Sequence, residues 1–145
     1  MTTTPFQVRN AYARDAILSA TPAQLVVMLY DRLELDLRRA ELAQDEQRWT
    51  DASAPLLHAQ DIITELQLTL RLDVWDGAER LFAVYTYVRN ALMAANVSHD
   101  IERTREAQRL IAPLAEAWRG AAEQLAQRPA PDTHADVQHG TLGVA

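Results

Sequence analysis

At 145 residues and 48% hydrophobic, the sequence suits one domain with one core. Its net charge of −6 sets a repulsive field against phosphate backbones and anionic membranes, which argues against nucleic acid as a partner. With no cysteine and no lysine, disulfides, thiolate nucleophiles, cysteine-bound zinc, Schiff-base chemistry and a P-loop are excluded together.

The N-terminus has no basic region followed by an apolar one, and the longest apolar stretches fall well short of the ~20 residues that span a bilayer. Apolar residues instead recur at three- and four-residue steps, the period of an amphipathic helix. A first short helix is expected over residues 6–18, with Phe6, Ala13 and Ile17 on one line and Tyr12 beside it. Thr21-Pro22-Ala23-Gln24 is a capping box with proline at the first helical position, and it opens a helix to about Gln44. That helix places Leu25, Val26, Leu29, Leu33, Leu37 and Ala40 on one face.

A third helix, capped by Asp51 or Ser53 and tolerating Pro55 in its first turn, is expected to end near Leu72, with Leu56, Ala59, Ile62, Ile63, Leu66 and Leu70 in line. Asp76-Gly77-Ala78-Glu79 offers the cap of a fourth, which carries Leu81, Val84, Tyr85, Val88, Ala91, Leu92 and Ala95 and closes at Asn96. Ser98 opens the fifth, striped by Ala107, Ile111, Leu114, Ala115, Trp118, Ala122 and Leu125. Pro113, inside that stripe, predicts a kink or break. From Arg128 the periodicity stops and prolines and glycines set in, as in a disordered tail.

The expected fold is all-α, an antiparallel four-helix bundle with an additional short N-terminal helix. Residues 1–19 form the N-terminal segment, 20–127 the bundle and 128–145 the tail. A bundle helix needs one apolar stripe, yet three helices carry large apolar residues away from theirs: Met28 and Leu35, then Leu57 and Leu68, then Phe82 and Met93. Any one of these is explained by cover from a neighbouring helix. Together they predict grooves or an apolar surface that receives an amphipathic partner.

Two blocks carry a resemblance. Ala20-Thr-Pro-Ala-Gln-Leu-Val-Val-Met-Leu-Tyr-Asp31, preceded by Tyr12, resembles a signature of the flagellar secretion chaperones of the FliS family. Ala59-Gln-Asp-Ile-Ile-Thr-Glu-Leu66, Tyr85-Thr-Tyr87, Ala95-Asn96 with Asp100, and Ala117-Trp118 are similar to further elements in the same order, so the resemblance covers residues 6–119. Arg32, Glu34, Asp36, Arg80 and the loop Asp73-Val-Trp-Asp-Gly77 depart from the family pattern.

The resemblance implies a cytoplasmic chaperone, not an enzyme, that binds the disordered C-terminal segment of flagellin, prevents its early polymerisation and delivers it to the flagellar export gate. It implies no cofactor and no metal, and a monomer or homodimer when free. Tyr12 and Ile17 would then form a displaceable lid over part of the partner surface. The expected partner-binding residues are Tyr12, Ile17, Met28, Tyr30, Leu57, Leu68, Phe82, Tyr87, Met93 and Asn96. The competing reading is a helical adaptor or regulator that binds a different amphipathic helix.

Individual polar residues read more plainly. Tyr30, Tyr85 and Tyr87 suit either core edges or a binding cluster. Asp36 interrupts the second helix's stripe, and a local ion pair with Arg32 or Arg39 at the stripe's margin accounts for it. His58, His99, His134 and His139 show no metal-ligand spacing, and no Ser-His-Asp set can be singled out.

Overall fold

The computed structural model describes residues 19–71 and 76–128, with isolated positions 4, 9, 11 and 14. The expected N-terminal helix with Tyr12 and Ile17, the loop around Trp75 and the tail beyond residue 128 lie outside the described residues. Those described form helices α1 (Pro22–Asp45), α2 (Trp49–Thr69), α3 (Ala78–Val97) and α4 (Ile101–Gln127).

Helix α1 starts as its sequence dictates. The Thr21 hydroxyl accepts from the Gln24 amide at 3.2 Å, and the Gln24 side chain accepts from the Thr21 N–H at 2.9 Å. At its other end Gln47 takes φ 57°, so the Arg48 N–H can turn back onto the Ala43 carbonyl at 2.8 Å. The α3–α4 connection repeats the device, with His99 at φ 53° and the Asp100 N–H on the Ala95 carbonyl at 3.1 Å. Trp49 and His99 then stack at this end of the bundle, ring centroids 4.5 Å apart and 2° from parallel.

Three helix starts differ from expectation. Helix α2 begins at Trp49 without a side-chain cap, because the tight turn at Gln47 leads directly into it and the Arg48–Asp51 ion pair at 2.9 Å spans its first turn. Trp49 is therefore a helical residue, and Pro55 lies beyond the first turn. Helix α3 starts after Gly77 with no side-chain cap, so the expected Asp76 cap is not made. Helix α4 is capped by Asp100, which accepts from the Glu102 amide at 3.0 Å, and not by Ser98. Helix α2 also ends at Thr69, short of Leu72.

No break occurs at Pro113, where α4 runs on to Gln127. Pro113 and Arg109, whose carbonyl loses its helical donor, both face solvent, and water can satisfy the carbonyl that the proline leaves free.

Short connections make neighbouring helices antiparallel, and each packs on two others: α1 on α2 and α4, α3 on α2 and α4. The core is the set of stripes read from sequence, with Leu33, Leu37, Leu56, Ile63, Leu66, Val88, Leu92 and Ile111 all buried. Leu25 is the exception in α1, left partly exposed near the helix start.

Polar groups cross the diagonals. Buried Gln44 donates from Nε2 to the Ala95 carbonyl at 3.3 Å and accepts the Thr104 hydroxyl at 2.7 Å, which ties α1, α3 and α4 together. Among the described residues every buried side-chain polar atom has a partner.

Candidate functional site

The apolar residues that lie off the stripes sort into separate places on the bundle. On α2, Leu57 and Leu68 stand about three turns apart on one line that points away from the core, 51% and 76% exposed. On α3, Phe82 and Met93 stand at the same spacing, 39% and 47% exposed. Two polar rungs fix the register between these helices: Gln67 Nε2 donates to Thr86 at 2.9 Å and Asn96 Nδ2 to Ser53 at 3.3 Å. Antiparallel pairing in that register sets Leu57 level with Met93 and Leu68 level with Phe82. The result is a face with an apolar pair near each end and a polar strip between.

Asn96, expected as a partner contact, is half-buried and serves as one of the rungs. Met28 lies elsewhere, on the α1–α4 side, where it lines a cavity of about 370 Å³ with Val27, Ala122 and Ala126. Tyr87 is on the far flank of α3, facing α4, where its hydroxyl donates to Glu106 beside Leu110 and Val84. That carboxylate raises the Tyr87 pKa above its ordinary value.

Tyr30 is a correction. It is fully buried, its hydroxyl 2.5 Å from that of Tyr85, so it builds the core and offers no surface to a partner. Burial is the main reason its pKa rises well above the usual range for a phenol, and burial raises that of Tyr85 as well. Asp36 makes the expected local ion pair, with Arg32 Nε at 3.5 Å, but it is buried and not at the margin of the stripe, and His58 Nδ1 from α2 is in direct hydrogen bond with it.

Sequence reasoning missed the partner from α2, since nothing in a run of single helices pairs residues so far apart. It also missed an apolar cavity of about 530 Å³ at the end of the bundle where α2 and α4 finish, lined by Leu70, Leu81, Leu114, Ala117 and Trp118. Leu114 and Trp118 belong to the apolar stripe of α4, yet both are only half-buried there because no helix closes this end of the interior among the described residues. Val97, exposed and apolar, carries no sequence signal that marks it out.

Apolar clefts between helices are of the kind that receives an amphipathic chain, and among the described residues no group of three or more His, Asp or Glu side chains is placed to hold a metal ion. No helix among the described residues is long and apolar enough to cross a membrane.

Comparison with known proteins agrees in sequence and in fold. A family model described as flagellar protein FliS matches residues 5–125. The chain is 29% identical over 136 residues to a flagellar secretion chaperone FliS from Bacillus subtilis, across 94% of this chain and 95% of that one. It is 31% identical over 116 residues to its counterpart from Escherichia coli, across 76% and 85% of the two chains. A crystal structure of a bacterial flagellar chaperone superposes with a TM-score of 0.65 at 21% identity, covering 83% of this chain and 99% of that one, a likeness of fold.

Proposed function

The chain belongs to the flagellar protein FliS family, and from that premise we propose that it is a cytoplasmic chaperone that holds the C-terminal segment of flagellin until export. It is a flagellar export chaperone and not an enzyme. Flagellin as its cargo and the export gate as its destination extend that statement.

The observation that carries the proposal is the α2–α3 face, where Leu57, Leu68, Phe82 and Met93 remain exposed on a well-packed bundle. A flagellin terminus that folds only on assembly has an apolar side with no cover of its own beforehand. Two apolar pairs separated by a polar strip suit an amphipathic segment laid lengthwise, and the end cavity beside Trp118 suits a larger apolar side chain. Met28 and Tyr87 extend the contact to the other flanks if the segment wraps around the bundle. Ordering such a segment opposes binding, which keeps affinity moderate for the area buried and permits release without a nucleotide. Tyr12 and Ile17 belong to this proposal as a lid that the cargo displaces.

The test is a pull-down and titration with flagellin from the same organism. A one-to-one complex is expected, lost when roughly 40 residues are removed from the flagellin C-terminus, a length set by wrapping helices of about 30 Å. Removing residues 1–18 of this chain should leave the affinity unchanged or raise it. Retention of full binding by the truncated flagellin would refute the cargo assignment and favour an adaptor for another amphipathic helix.

A further inference from the structure

The solvent side of α1 carries a pattern that the α2–α3 face does not share. Met28, Leu35 and Leu42 recur at a seven-residue spacing, and Arg32 and Arg39 recur at the same spacing between them. A straight helix drifts by only about 20° per heptad, so the apolar residues form one line about 21 Å long with guanidiniums alongside. Met28 is exposed, Leu35 half-buried, and Leu42, at 58%, among the most exposed leucines of the bundle.

Helix α2 adds a wall to the lower half of that line. Arg32, Asp36, Arg39, Leu42, Arg48 and His58 border a cavity of about 460 Å³ between the two helices. Its charges are unevenly spent. Asp36 engages Arg32 and His58, and Asp51 engages Arg48, while Arg39 makes no hydrogen bond or ion pair among the described residues. A guanidinium without a carboxylate therefore borders a concavity of mixed lining, charged residues beside Leu42, Ala54 and Pro55, on a chain whose net charge is −6.

We propose that this face of α1 and α2 is a second docking site, distinct from the α2–α3 face, for an amphipathic helix with an acidic flank. Apolar side chains of the partner lie along Leu35 and Leu42, and a carboxylate enters the cavity to bond Arg39. Guanidinium and carboxylate match in a forked, bidentate geometry, and the heptad spacing is the one that lets a second helix track the line. Charge complementarity selects this occupant over another copy of the chain. Two copies joined by this face would set Arg32 and Arg39 against the same arginines, while the face's own carboxylates, Asp36 and Asp51, are already engaged by Arg32, His58 and Arg48. A free inorganic anion would satisfy Arg39 but leave the apolar line without a purpose.

The experiment titrates the full chain with a synthetic peptide of about 20 residues, long enough to track the line as a helix. The peptide bears leucine at every seventh position and glutamate flanking each leucine, and amide chemical shifts locate where it binds. Shifts are expected along α1 from Arg32 to Leu42 and at His58. Replacing the glutamates by glutamine, or Arg39→Gln in the protein, should each weaken binding about tenfold or more, as for loss of a charge-assisted pair. Leu42→Ser should weaken it also, with the fold unchanged because both side chains are exposed. Binding of the flagellin C-terminal peptide should be untouched by R39Q.

Three outcomes overturn the proposal. The first is equal affinity for the glutamate and glutamine peptides. The second is competition by inorganic phosphate at low millimolar concentration, which would make this a small-anion site only. The third is a parallel loss of flagellin binding in R39Q, which would make the face part of the cargo groove.

Discussion

Tyr30 and Tyr85 bring their hydroxyls to 2.5 Å across the bundle axis and so join α1 to α3, two helices that do not otherwise pack as neighbours. Each hydroxyl is the main partner available to the other in an apolar interior. Tyr30→Phe or Tyr85→Phe alone should destabilise the domain by about 1–3 kcal/mol, since the remaining hydroxyl stays buried with less to bond. The double variant should cost less than the two single changes added, because both desolvated groups are then gone. Urea unfolding of the four proteins measures the coupling, and strict additivity would show the two hydroxyls to be independent.

The same pair fixes the sign of an alkaline effect. Burial raises both phenol pKa values in the folded protein, so the neutral form is the one the fold favours. That contribution is fully present below the unfolded phenol pKa of about 10 and is lost as pH rises from there towards the folded values. Thermal melts between pH 8 and pH 11 should show the wild type losing stability faster at the alkaline end than Y30F/Y85F. Parallel curves would mean that the tyrosines ionise without unfolding.

Asp36 gives a third expectation. Its buried carboxylate accepts from His58 and sits by Arg32, so His58→Ala removes its cross-helix partner and leaves the charge under-satisfied. A loss of roughly 2 kcal/mol is expected, whereas Arg32→Ala, whose Nε stands off at 3.5 Å and makes no direct hydrogen bond, should cost less. Asp36→Leu with His58→Ala should recover part of the loss. A neutral His58→Ala would show that Arg32 alone satisfies the carboxylate.

These cases mark where the sequence could be read and where it could not. Periodicity placed Leu33, Leu56, Ile63, Val88, Leu92 and Ile111 in the core and left Leu57, Leu68, Phe82 and Met93 outside, because a single helix's geometry decides which face a residue occupies. It failed where a second helix decides. Tyr30 and Tyr85 lie on different helices, and so do Asp36 and His58, and no local pattern announces that they meet. The α2 and α4 starts were missed for a related reason. Asp51 and Ser98 are good cap residues in isolation, but the left-handed turns at Gln47 and His99 set the phase of the helices that they lead into.

Leu57→Glu and Leu68→Glu test the candidate surface against a packing role. Both side chains face solvent, so helical content and melting temperature should change little. If each leucine contributes the ~1.5–3 kcal/mol of a buried side chain to the flagellin contact, affinity should fall about ten- to a hundredfold. Arg109→Glu, an exposed change on α4 away from this face and without an apolar side chain to lose, serves as the control for added charge. Unfolding of the leucine variants would place them in the core, and unchanged affinity would move the cargo contact to the end cavity or another flank.

Pro113 yields the last expectation, and it turns on why a helix continues through a residue that should stop it. The ring removes one hydrogen bond and crowds the carbonyl of Arg109, a penalty of about 3 kcal/mol in a helix interior. Its neighbours Ile111 and Ala115 are buried while Pro113 faces solvent, so packing on both sides holds the helix together and water reaches the freed carbonyl. Pro113→Ala should therefore stabilise the domain, offset in part by the ~1 kcal/mol of extra freedom that alanine gives the unfolded chain. A net gain of about 1–2 kcal/mol in urea unfolding is expected from these two opposed effects. If stability fell instead, α4 would depend on a bend at Pro113 to keep Ile111 and Trp118 against the bundle.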